Sequence, residues 1–412
     1  MTDPTSLRVG MVGYAFMGAA HSHAWRSAPR FFDLPLHPEL TAVAGRNPDG
    51  VRAAAAKLGW ESYETDWRAL IEREDIDLID ICTPGNTHAE IAIAALEAGK
   101  HVLCEKPLAN SVAEAERMAA AAEAAAARGV YSMCGFSYRR TPALALARRM
   151  VAEGRLGQIR HVRAQYLQDW LTDPDAPLTW RLDKSKSGSG ALGDIGAHSI
   201  DAAQWITGLN ITGVSALMET FVKDRPLAGD LVGLGGHGAT GAERGPVTVD
   251  DAAIFTARFA AANGGETAAN GGGSGGSSAG TGAGPVGVFE ATRFALGRKN
   301  AMRLELNGTA GSLAFDFEDM NALSVYDAAD GPDAGFRKIL VTEPEHPYTG
   351  NWWPTGHGLG YEHLFTHQAV DLIHAINAGR PPAPSFADAL QVQKVLAAIE
   401  TSAHNDSHWH HV

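Results

Sequence analysis

The chain has 412 residues, of which 45% are hydrophobic and 20% charged, and its formal net charge is −13. A surface this acidic repels phosphate backbones and anionic lipids, which argues against nucleic-acid or membrane binding as the main activity. No apolar run approaches the roughly 20 residues of a membrane-spanning helix, and the three cysteines are too scattered for a disulfide framework, so we expect a protein of the reduced cytoplasm without a secretory signal.

The first third of the chain alternates short apolar runs with Ala-rich amphipathic stretches. The apolar runs, which we predict as strands, are Leu7–Gly13, Leu40–Ala44, Leu78–Cys82, His101–Cys104 and Val130–Cys134. The stretches with helical spacing are Pro48–Leu58, His88–Ala98 and Ser111–Ala127. Strands that alternate with helices predict βαβ units and a parallel sheet covered on both faces. We therefore expect residues 1–134 to form a doubly wound α/β domain of the Rossmann type, which binds a dinucleotide.

After about Gly135 strand-like segments dominate, with few helices between them. They are Ile159–Trp170, Ile211–Val222, Val247–Phe259, Val286–Ala295, Ala301–Leu306, Ser312–Phe317 and Ala322–Tyr326. Two helical patterns, Tyr361–Ala378 and Phe386–Ala403, close the chain. Sequential strands predict a large open, mostly antiparallel sheet. We expect residues 135–412 to form an α+β domain for substrate binding and oligomerisation.

Residues 264–287 hold 11 of the 46 glycines, with Ser, Thr and Ala between them. Such a composition cannot offset its ordering entropy by burial, so it predicts a flexible loop. The segment lies between two strand-like runs, and we interpret it as the extended tip of a hairpin. A functional lid is the alternative.

A glycine-rich turn, Gly13-Tyr14-Ala15-Phe16-Met17-Gly18, joins the first strand to the first helix. A tight turn of this kind aims backbone N–H groups and the positive end of the helix dipole at a pyrophosphate. The usual pattern is G-x-G-x-x-G, and Ala15 stands in place of its middle glycine. A purely structural turn is the alternative. We predict that Gly13, Ala15, Phe16, Met17 and Gly18 bind the cofactor.

The second strand ends in Ala44-Gly45-Arg46-Asn47, where folds specific for NAD usually carry an acidic residue for the adenosine ribose. No carboxylate occupies this turn. The guanidinium of Arg46 suits a 2′-phosphate, so the sequence favours NADP over NAD. The alternative is that Arg46 stacks on adenine and accepts either cofactor.

Two further clusters contain residues suited to chemistry. Cys104-Glu105-Lys106-Pro107 follows the fourth strand, and ligands of open α/β sheets bind outside the carboxyl ends of the strands. Asp194 and His198, four residues apart after a glycine run, would project from one helix face. Together they suggest a general base, with the carboxylate setting the tautomer of the imidazole. A solvated lysine and an ordinary surface pair are the alternatives.

The order and spacing of four motifs resemble the Gfo/Idh/MocA family of nicotinamide-dependent sugar and polyol oxidoreductases over roughly residues 7–400. The motifs are the glycine-rich turn, Thr83-Pro84 with Asn86 and His88, Glu105-Lys106-Pro107, and the glycine run that ends in Asp194 and His198. Within the family, four stretches look most like the levoglucosan dehydrogenases and related pyranoside 3-dehydrogenases. These are Phe16–Ser22, Tyr138–Ala143, Tyr166–Trp170 and Trp180–Arg181.

The resemblance implies roles for individual residues. Lys106 matches the catalytic lysine that bonds the reacting hydroxyl and the nicotinamide ribose, and Asp194 and His198 match the catalytic pair, with His198 as the base. The implied cofactor-binding residues are Thr83, Pro84, Asn86, His88, Glu105, Lys106, Trp180 and Arg181. The implied substrate-binding residues are Lys106, Tyr138, Arg139, Tyr166, Gln168, Asp169, Asp194 and His198.

These roles imply a dehydrogenase that oxidises a secondary hydroxyl of a pyranose, anhydrosugar, glycoside or inositol and transfers the hydride to NADP or NAD. A lysine and a histidine suit this chemistry, because a ring hydroxyl is a poor acid and needs both a base and a stabilising cation. The alternatives are a redox-type glycoside hydrolase and a non-catalytic cofactor-binding sensor. The family also implies a homodimer or homotetramer formed through the open sheet.

We predict no metal site. His404, His408, His410 and His411 lie past the last predicted helix, and we interpret them as a mobile end. In the first helix, His21 is the candidate to face the crevice, and His23 is expected on the helix surface.

Overall fold

The computed structural model describes residues 5–228, 240–261 and 284–412. Its first part is a six-stranded sheet in the order β3-β2-β1-β4-β5-β6, and every pair of neighbouring strands in it is parallel. The strands are β1 Thr5–Val12, β2 Leu36–Ala44, β3 Ser62–Glu64, β4 Leu78–Ile81, β5 His101–Cys104 and β6 Ser132–Cys134. The helices are α1 Phe16–Phe31, α2 Pro48–Leu58, α3 Trp67–Glu72, α4 His88–Glu97 and α5 Val112–Ala126. The predicted Rossmann fold is confirmed.

Local sequence signals account for several boundaries of this part. Asn47 caps α2 by accepting a hydrogen bond from the backbone N–H of Gly50, and Gly59 ends the helix in the left-handed region. Ser111 caps α5 by accepting from the backbone N–H of Glu114. The strand β4 is buried along its whole length, as expected where helices cover both faces of a parallel sheet.

The second part is a nine-stranded mixed sheet in the order β16-β15-β14-β13-β7-β12-β11-β8-β17. Its neighbouring strands are antiparallel except for β7 and β12, so the predicted, mostly antiparallel sheet is confirmed. The strands are β7 Ile159–Leu167, β8 Asn210–Glu219, β11 Ala252–Ala260, β12 Val286–Thr292, β13 Ala301–Gly308, β14 Gly311–Asp316, β15 Ala322–Asp327, β16 Arg337–Leu340 and β17 His410–His411. A separate hairpin pairs β9 Asp224–Ala228 with β10 Thr240–Pro246.

Five helices belong to this second part: α6 Pro142–Ala152, α7 Lys184–Ser187, α8 Ala197–Thr207, α9 Tyr361–Asn377 and α10 Phe386–His404. α6 and α8 lie on one face of the large sheet, while α9 packs on α1 and α10 packs on both β8 and α5. The last two helices therefore join the two sheets. Among the described helices, none combines the length and the apolar character needed to cross a membrane.

Within the described residues, no helix covers the opposite face of the large sheet. Strand β11 alternates buried and exposed positions, and large apolar side chains point outward from several strands. They include Leu217, Ile254, Val286, Val288 and Leu340. An apolar face of this kind is typical of a surface that meets another protein.

The glycine-rich segment and the histidine-rich tail both belong to the second part. The predicted loop 264–287 follows β11, which pairs with β12 as a hairpin, and most of it falls outside the described residues. Its last two residues, Val286 and Gly287, belong to β12 and not to a loop. The predicted mobile end is wrong. His404 is the last residue of α10, and His410–His411 pairs with β8 as an edge strand. A Cβ added at Gly213 would lie 2.5 Å from the Trp409 ring, so the close packing of Trp409 on β8 holds the tail in place.

Candidate active site

The glycine-rich turn closes tightly over the carboxyl end of β1. Gly13 has φ +97°, and a Cβ there would lie 2.8 Å from the backbone oxygen of Cys82. A Cβ on Gly18 would collide with the backbone oxygen of Gly13. Ala15 and Phe16 are exposed where α1 begins, and Met17 is half-buried. The first turn of α1 thus leaves its N–H groups open toward the crevice, as a bound pyrophosphate requires.

Tyr14 occupies the neighbouring turn after β2. A Cβ on Gly45 would collide with the Tyr14 ring, and a Cβ on Gly50 would lie 2.6 Å from its hydroxyl oxygen. Arg46 is exposed at this turn. The predicted selector of the cofactor therefore lies at the surface, beside an aromatic ring that the sequence analysis did not assign.

The loop after β4 carries the next group of predicted cofactor residues. Thr83 and Pro84 are half-buried, and Asn86 is exposed in a short 3₁₀ turn. His88 is buried, and its two ring nitrogens lie 2.8 Å from the backbone oxygen of Thr83 and 3.0 Å from that of Pro107. The imidazole of His88 therefore lies between the loops that follow β4 and β5 and connects them.

Glu105 and His21 form a buried cluster beneath the Lys106 loop. Nδ1 of His21 donates to Asp80 at 2.9 Å, and Nε2 donates to Oε1 of Glu105 at 3.1 Å. Trp25 donates to the other oxygen of Asp80 at 2.7 Å. Both ring nitrogens face carboxylates, which accept only, so the ring is an imidazolium. Burial alone would lower the pKa of His21, but the charge of Asp80 raises it well above its ordinary value.

His21 and Glu105 do not lie where the sequence predicts them. His21 lies under the crevice and not in it, while His23 is exposed as expected. The carboxylate of Glu105 is buried, and its second oxygen accepts from the backbone N–H of Lys106 at 3.3 Å. In the described part of the chain, His21, Asp80 and Cys82 hold possible metal ligand atoms within 4.8 Å of one another. The hydrogen bonds of His21 and Trp25 account for this grouping without an ion.

Lys106 and Asp194 meet across the two parts of the fold. Nζ of Lys106 donates to the backbone oxygen of Asp194 at 2.5 Å and lies 3.8 Å from its carboxylate oxygen Oδ1. Asp194 belongs to a π-helical turn, Leu192–Gly196, that leads directly into α8. The carboxylate of Asp250 anchors this segment by accepting from the backbone N–H groups of Gly190 and Leu192, at 2.6 and 2.8 Å.

His198 lies in the first turn of α8 and is buried. Its ring stacks on the Tyr138 ring with a centroid distance of 4.2 Å and an interplanar angle of 17°. Within the part of the chain that the structure describes, its Nδ1 has no hydrogen-bond partner. Burial, together with the charge of Lys106, lowers the pKa of His198 well below its ordinary value. The imidazole is therefore neutral near neutral pH and free to accept a proton.

The structure does not support a direct pairing of Asp194 with His198. Within the described residues no hydrogen bond joins them, because the Asp194 carboxylate turns toward cations. Oδ2 of Asp194 lies 3.7 Å from Nη1 of Arg293, and Oδ1 faces Lys106. The expectation that Asp194 sets the tautomer of His198 was wrong. Burial would raise the pKa of Asp194, but Lys106, Arg181 and Arg293 together hold it below the ordinary value.

A chain of hydrogen bonds continues from Tyr138 along one wall of the site. The Tyr138 hydroxyl donates to Tyr166 at 2.5 Å, and Tyr166 donates to Oδ1 of Asn300 at 2.7 Å. Gln168 also donates to Asn300, at 2.9 Å, and accepts from the Trp170 indole at 2.9 Å. Burial raises the pKa of Tyr138 to about 12, so its hydroxyl keeps its proton. This wall presents hydroxyl, amide and aromatic groups next to His198.

Two predicted substrate residues are engaged elsewhere. Arg139 forms a buried two-pronged ion pair with Asp201, at 2.8 and 2.5 Å. Asp169 accepts from Lys299 at 2.6 Å and from the backbone N–H of Gly297 at 3.0 Å. The guanidinium of Arg139 therefore points into the interior, although Tyr138 beside it contacts His198.

The remaining predicted residues are Trp180 and Arg181, in a 3₁₀ turn over Trp180–Leu182. The guanidinium of Arg181 lies 4.5 Å from the centre of the Trp180 ring. Its charge acts on Asp194, so the dipeptide belongs to the same site as Lys106. Sequence reasoning missed Arg293 and Asn300. Each stands in the link between β12 and β13 without a surrounding motif, and only the fold brings them to the site.

Comparisons with known proteins identify the family of both parts of the chain. Residues 7–132 match the oxidoreductase family GFO_IDH_MocA, NAD-binding Rossmann fold, and residues 144–314 match the GFO/IDH/MocA C-terminal domain. Levoglucosan dehydrogenase of Pseudarthrobacter phenanthrenivorans is 42% identical over 410 residues, which cover 98% of this chain and 97% of that protein.

Solved structures extend the likeness to the whole fold. An oxidoreductase domain protein from Kribbella flavida is 63% identical, with a TM-score of 0.89 over 99% of both chains. Levoglucosan dehydrogenase in complex with NADH and levoglucosan is 41% identical, with a TM-score of 0.87 over 99% of this chain and 100% of that one. The predicted likeness to levoglucosan dehydrogenases is confirmed.

Proposed function

Because the chain belongs to the Gfo/Idh/MocA family of oxidoreductases, we propose that it is a carbohydrate dehydrogenase. It oxidises a secondary hydroxyl of a pyranose, anhydrosugar, glycoside or inositol. The observation that carries the proposal is the contact between Lys106 and Asp194 beside the neutral, buried ring of His198. The relative solved with NADH and levoglucosan supports an anhydrosugar as the first substrate to test.

The three residues have separate tasks in this reaction. The ammonium group of Lys106 stabilises the negative charge that develops on the hydroxyl oxygen. His198 accepts the hydroxyl proton at a ring nitrogen, because its lowered pKa keeps the ring unprotonated near neutral pH. Asp194 holds Lys106 in place through its backbone oxygen and its charge. When bound, the nicotinamide cofactor supplies the hydride acceptor.

The first part of the fold suits that cofactor. Gly13 and Gly18 have no side chain where a Cβ would meet backbone, and the start of α1 is open at Ala15 and Phe16. We propose NADP as the preferred cofactor, because Arg46 is exposed where a 2′-phosphate would lie and no carboxylate occupies that turn. NAD is the alternative, and the relative that holds NADH supports it.

The wall beside His198 suits a sugar. Tyr138, Gln168 and Asn300 offer hydroxyl and amide groups, and the aromatic rings offer faces for C–H groups. We further propose that a second copy of the chain covers the open apolar face of the large sheet, as a homodimer or homotetramer. A monomer in light scattering would exclude this assembly.

The test is the absorbance of reduced nicotinamide on mixing the protein with NADP or NAD and a panel of pyranoses, anhydrosugars, glycosides and inositols. A rise with one carbohydrate supports the dehydrogenase, and comparison of the two cofactors decides the role of Arg46. Cleavage of a glycoside without net cofactor reduction would support redox hydrolysis instead. Cofactor binding with no turnover on any substrate would favour the sensor.

Two variants sharpen this test. Lys106→Met should lower kcat by about 100-fold or more, because the developing oxyanion loses its cation. Lys57→Met is the matched control, since Lys57 is an exposed lysine in the last turn of α2. Unchanged turnover in a folded Lys106→Met protein would refute the proposal.

A further inference from the structure

Arg293 directly follows β12 and its side chain is completely buried. Nη2 donates to the backbone oxygen of Asp250 at 3.0 Å. Among residues 5–228, 240–261 and 284–412, Nε and Nη1 have no hydrogen-bond partner. Nη1 lies 3.7 Å from Oδ2 of Asp194, too long for a good hydrogen bond and close enough for a strong charge interaction. The guanidinium is therefore buried with most of its hydrogen-bonding capacity unused, next to the proposed site.

A second buried arginine of the same part shows how a structural guanidinium is held. Arg225 is as fully buried as Arg293. It donates to the backbone oxygens of Asp173 and Leu171, at 2.6 Å each, and to that of Ala176 at 3.4 Å. Of its nitrogens, Nε alone lacks a hydrogen-bond partner among the described residues. Because buried N–H groups without acceptors are costly, the few hydrogen bonds of the Arg293 guanidinium call for a reason other than packing.

The surroundings of Asp194 supply that reason. Three cations from three places in the fold act on its carboxylate: Lys106 after β5, Arg181 in the Trp180–Leu182 turn, and Arg293. Burial raises the pKa of the phenols of Tyr138, Tyr166 and Tyr361, and the charge of Asp194 raises it further. Arg293 is the fully buried member of the three cations. It meets the oxygen of Asp194 that Lys106 does not face.

We propose that Arg293 is a positioning residue, which fixes the orientation and negative charge of Asp194 so that Asp194 in turn holds Lys106. The proposal rests on the proposed dehydrogenase function. Without Arg293, the Asp194 carboxylate is free to turn from its present direction, and Lys106 then loses the carboxylate oxygen at 3.8 Å and keeps only its hydrogen bond to the Asp194 backbone. Gly190 packs against the same residues, because a Cβ there would lie 1.8 Å from the backbone oxygen of Asp250 and 2.8 Å from Nη2 of Arg293.

The experiment compares Arg293→Gln, Arg293→Lys and the control Arg225→Gln with the substrate and cofactor that the panel identifies. We expect Arg293→Gln to lower kcat by about 10- to 100-fold, with a smaller change in KM. Lys106 is one of the two causes that lower the pKa of His198, so if Lys106 leaves its position, the acid limb of the pH profile of kcat/KM should move to higher pH. Arg293→Lys should move the limb back in part, since it restores the charge.

The control separates positioning from packing. Arg225→Gln should lower the midpoint of thermal unfolding and leave the acid limb where it is in the wild type. If Arg293→Gln behaves in the same way, with an unmoved limb and an unchanged kcat, the proposal is wrong.

A crystal structure of Arg293→Met distinguishes failure of this proposal from failure of the proposed function. If the wild type turns over no member of the panel, the dehydrogenase function fails, but the orientation of Asp194 is still observable. We expect the Asp194 carboxylate to leave its present direction in the variant, with a longer distance from Lys106. An unchanged Asp194 side chain would overturn the positioning role.

Discussion

The charge cluster beneath Lys106 gives a prediction about stability. His21→Leu removes the imidazolium that contacts two buried carboxylates, with side-chain exposures of 0% for Asp80 and 6% for Glu105. Leucine fills similar space but donates no hydrogen bond. After the change, Asp80 keeps the N–H of Trp25 at 2.7 Å, while Glu105 keeps only the backbone N–H of Lys106 at 3.3 Å. The carboxylate of Glu105 therefore loses more of its hydrogen bonding than that of Asp80.

The expected magnitude follows from the burial of these groups. Removing one partner of a buried ion pair typically costs about 3–5 kcal/mol, because the remaining charge stays desolvated. We expect a loss in this range for the free energy of unfolding. The fold raises the pKa of His21, so its stabilising contribution is complete below the ordinary value of about 6.5 and decreases as the pH rises through the folded value. Urea unfolding near pH 6 therefore measures the full contribution.

Two further variants complete the experiment. His23→Leu is the matched control, because His23 lies in the same helix and is exposed; it should change the free energy of unfolding by less than about 0.5 kcal/mol. The triple variant His21→Leu, Asp80→Asn, Glu105→Gln should recover much of the lost stability, since it leaves no buried charge. If His21→Leu is as stable as His23→Leu, the ring of His21 is not a charged partner and the reasoning fails.

Gly18→Ala should weaken cofactor binding by about tenfold or more, because its Cβ collides with the backbone oxygen of Gly13 and opens the turn. Titration of reduced-nicotinamide fluorescence measures the cofactor affinity. Gly335→Ala is the control, because a Cβ at Gly335 meets open space. If the two variants bind the cofactor with equal affinity, the role of the turn is refuted. A second prediction concerns pH. Since burial and Lys106 lower the pKa of His198, kcat/KM should stay flat down to below about pH 6.5. A fall centred at that value would contradict a desolvated base.

Much of the fold could be predicted because its elements are long or periodic. The helix Pro48–Leu58 has the bounds that its cap residues indicate, and the strand His101–Cys104 has the bounds of its apolar run. The short elements β3 and α3 carry too few residues for a period to show. A helix was expected at Asp194 and His198, but the extent of α8 was not predicted, because its residues are buried almost all round and no polar face reveals a period of 3.6.

The sequence likewise predicts some of the site residues but not the partners that they contact. Lys106, Asp194 and His198 stand in recognisable motifs, and the fold does bring them into one region. Which partner each takes depends on side chains far away in the sequence. Asp194 turns to Arg293, 99 positions further along, and Arg139 turns to Asp201. No local spacing predicts these choices, because they are decided by burial and charge after the two sheets have come together.

Lys106 contacts two acidic residues, and each of them has a buried cation beside it. Its backbone N–H donates to Glu105, and its Nζ donates to the backbone oxygen of Asp194. Each of these two anions has its own buried cation, His21 for Glu105 and Arg293 for Asp194. A lysine chain is flexible, and fixing its ammonium group before substrate arrives removes that freedom from the cost of the reaction. The two cations sit in different parts of the fold, so the position of Lys106 depends on how the Rossmann sheet and the large sheet meet.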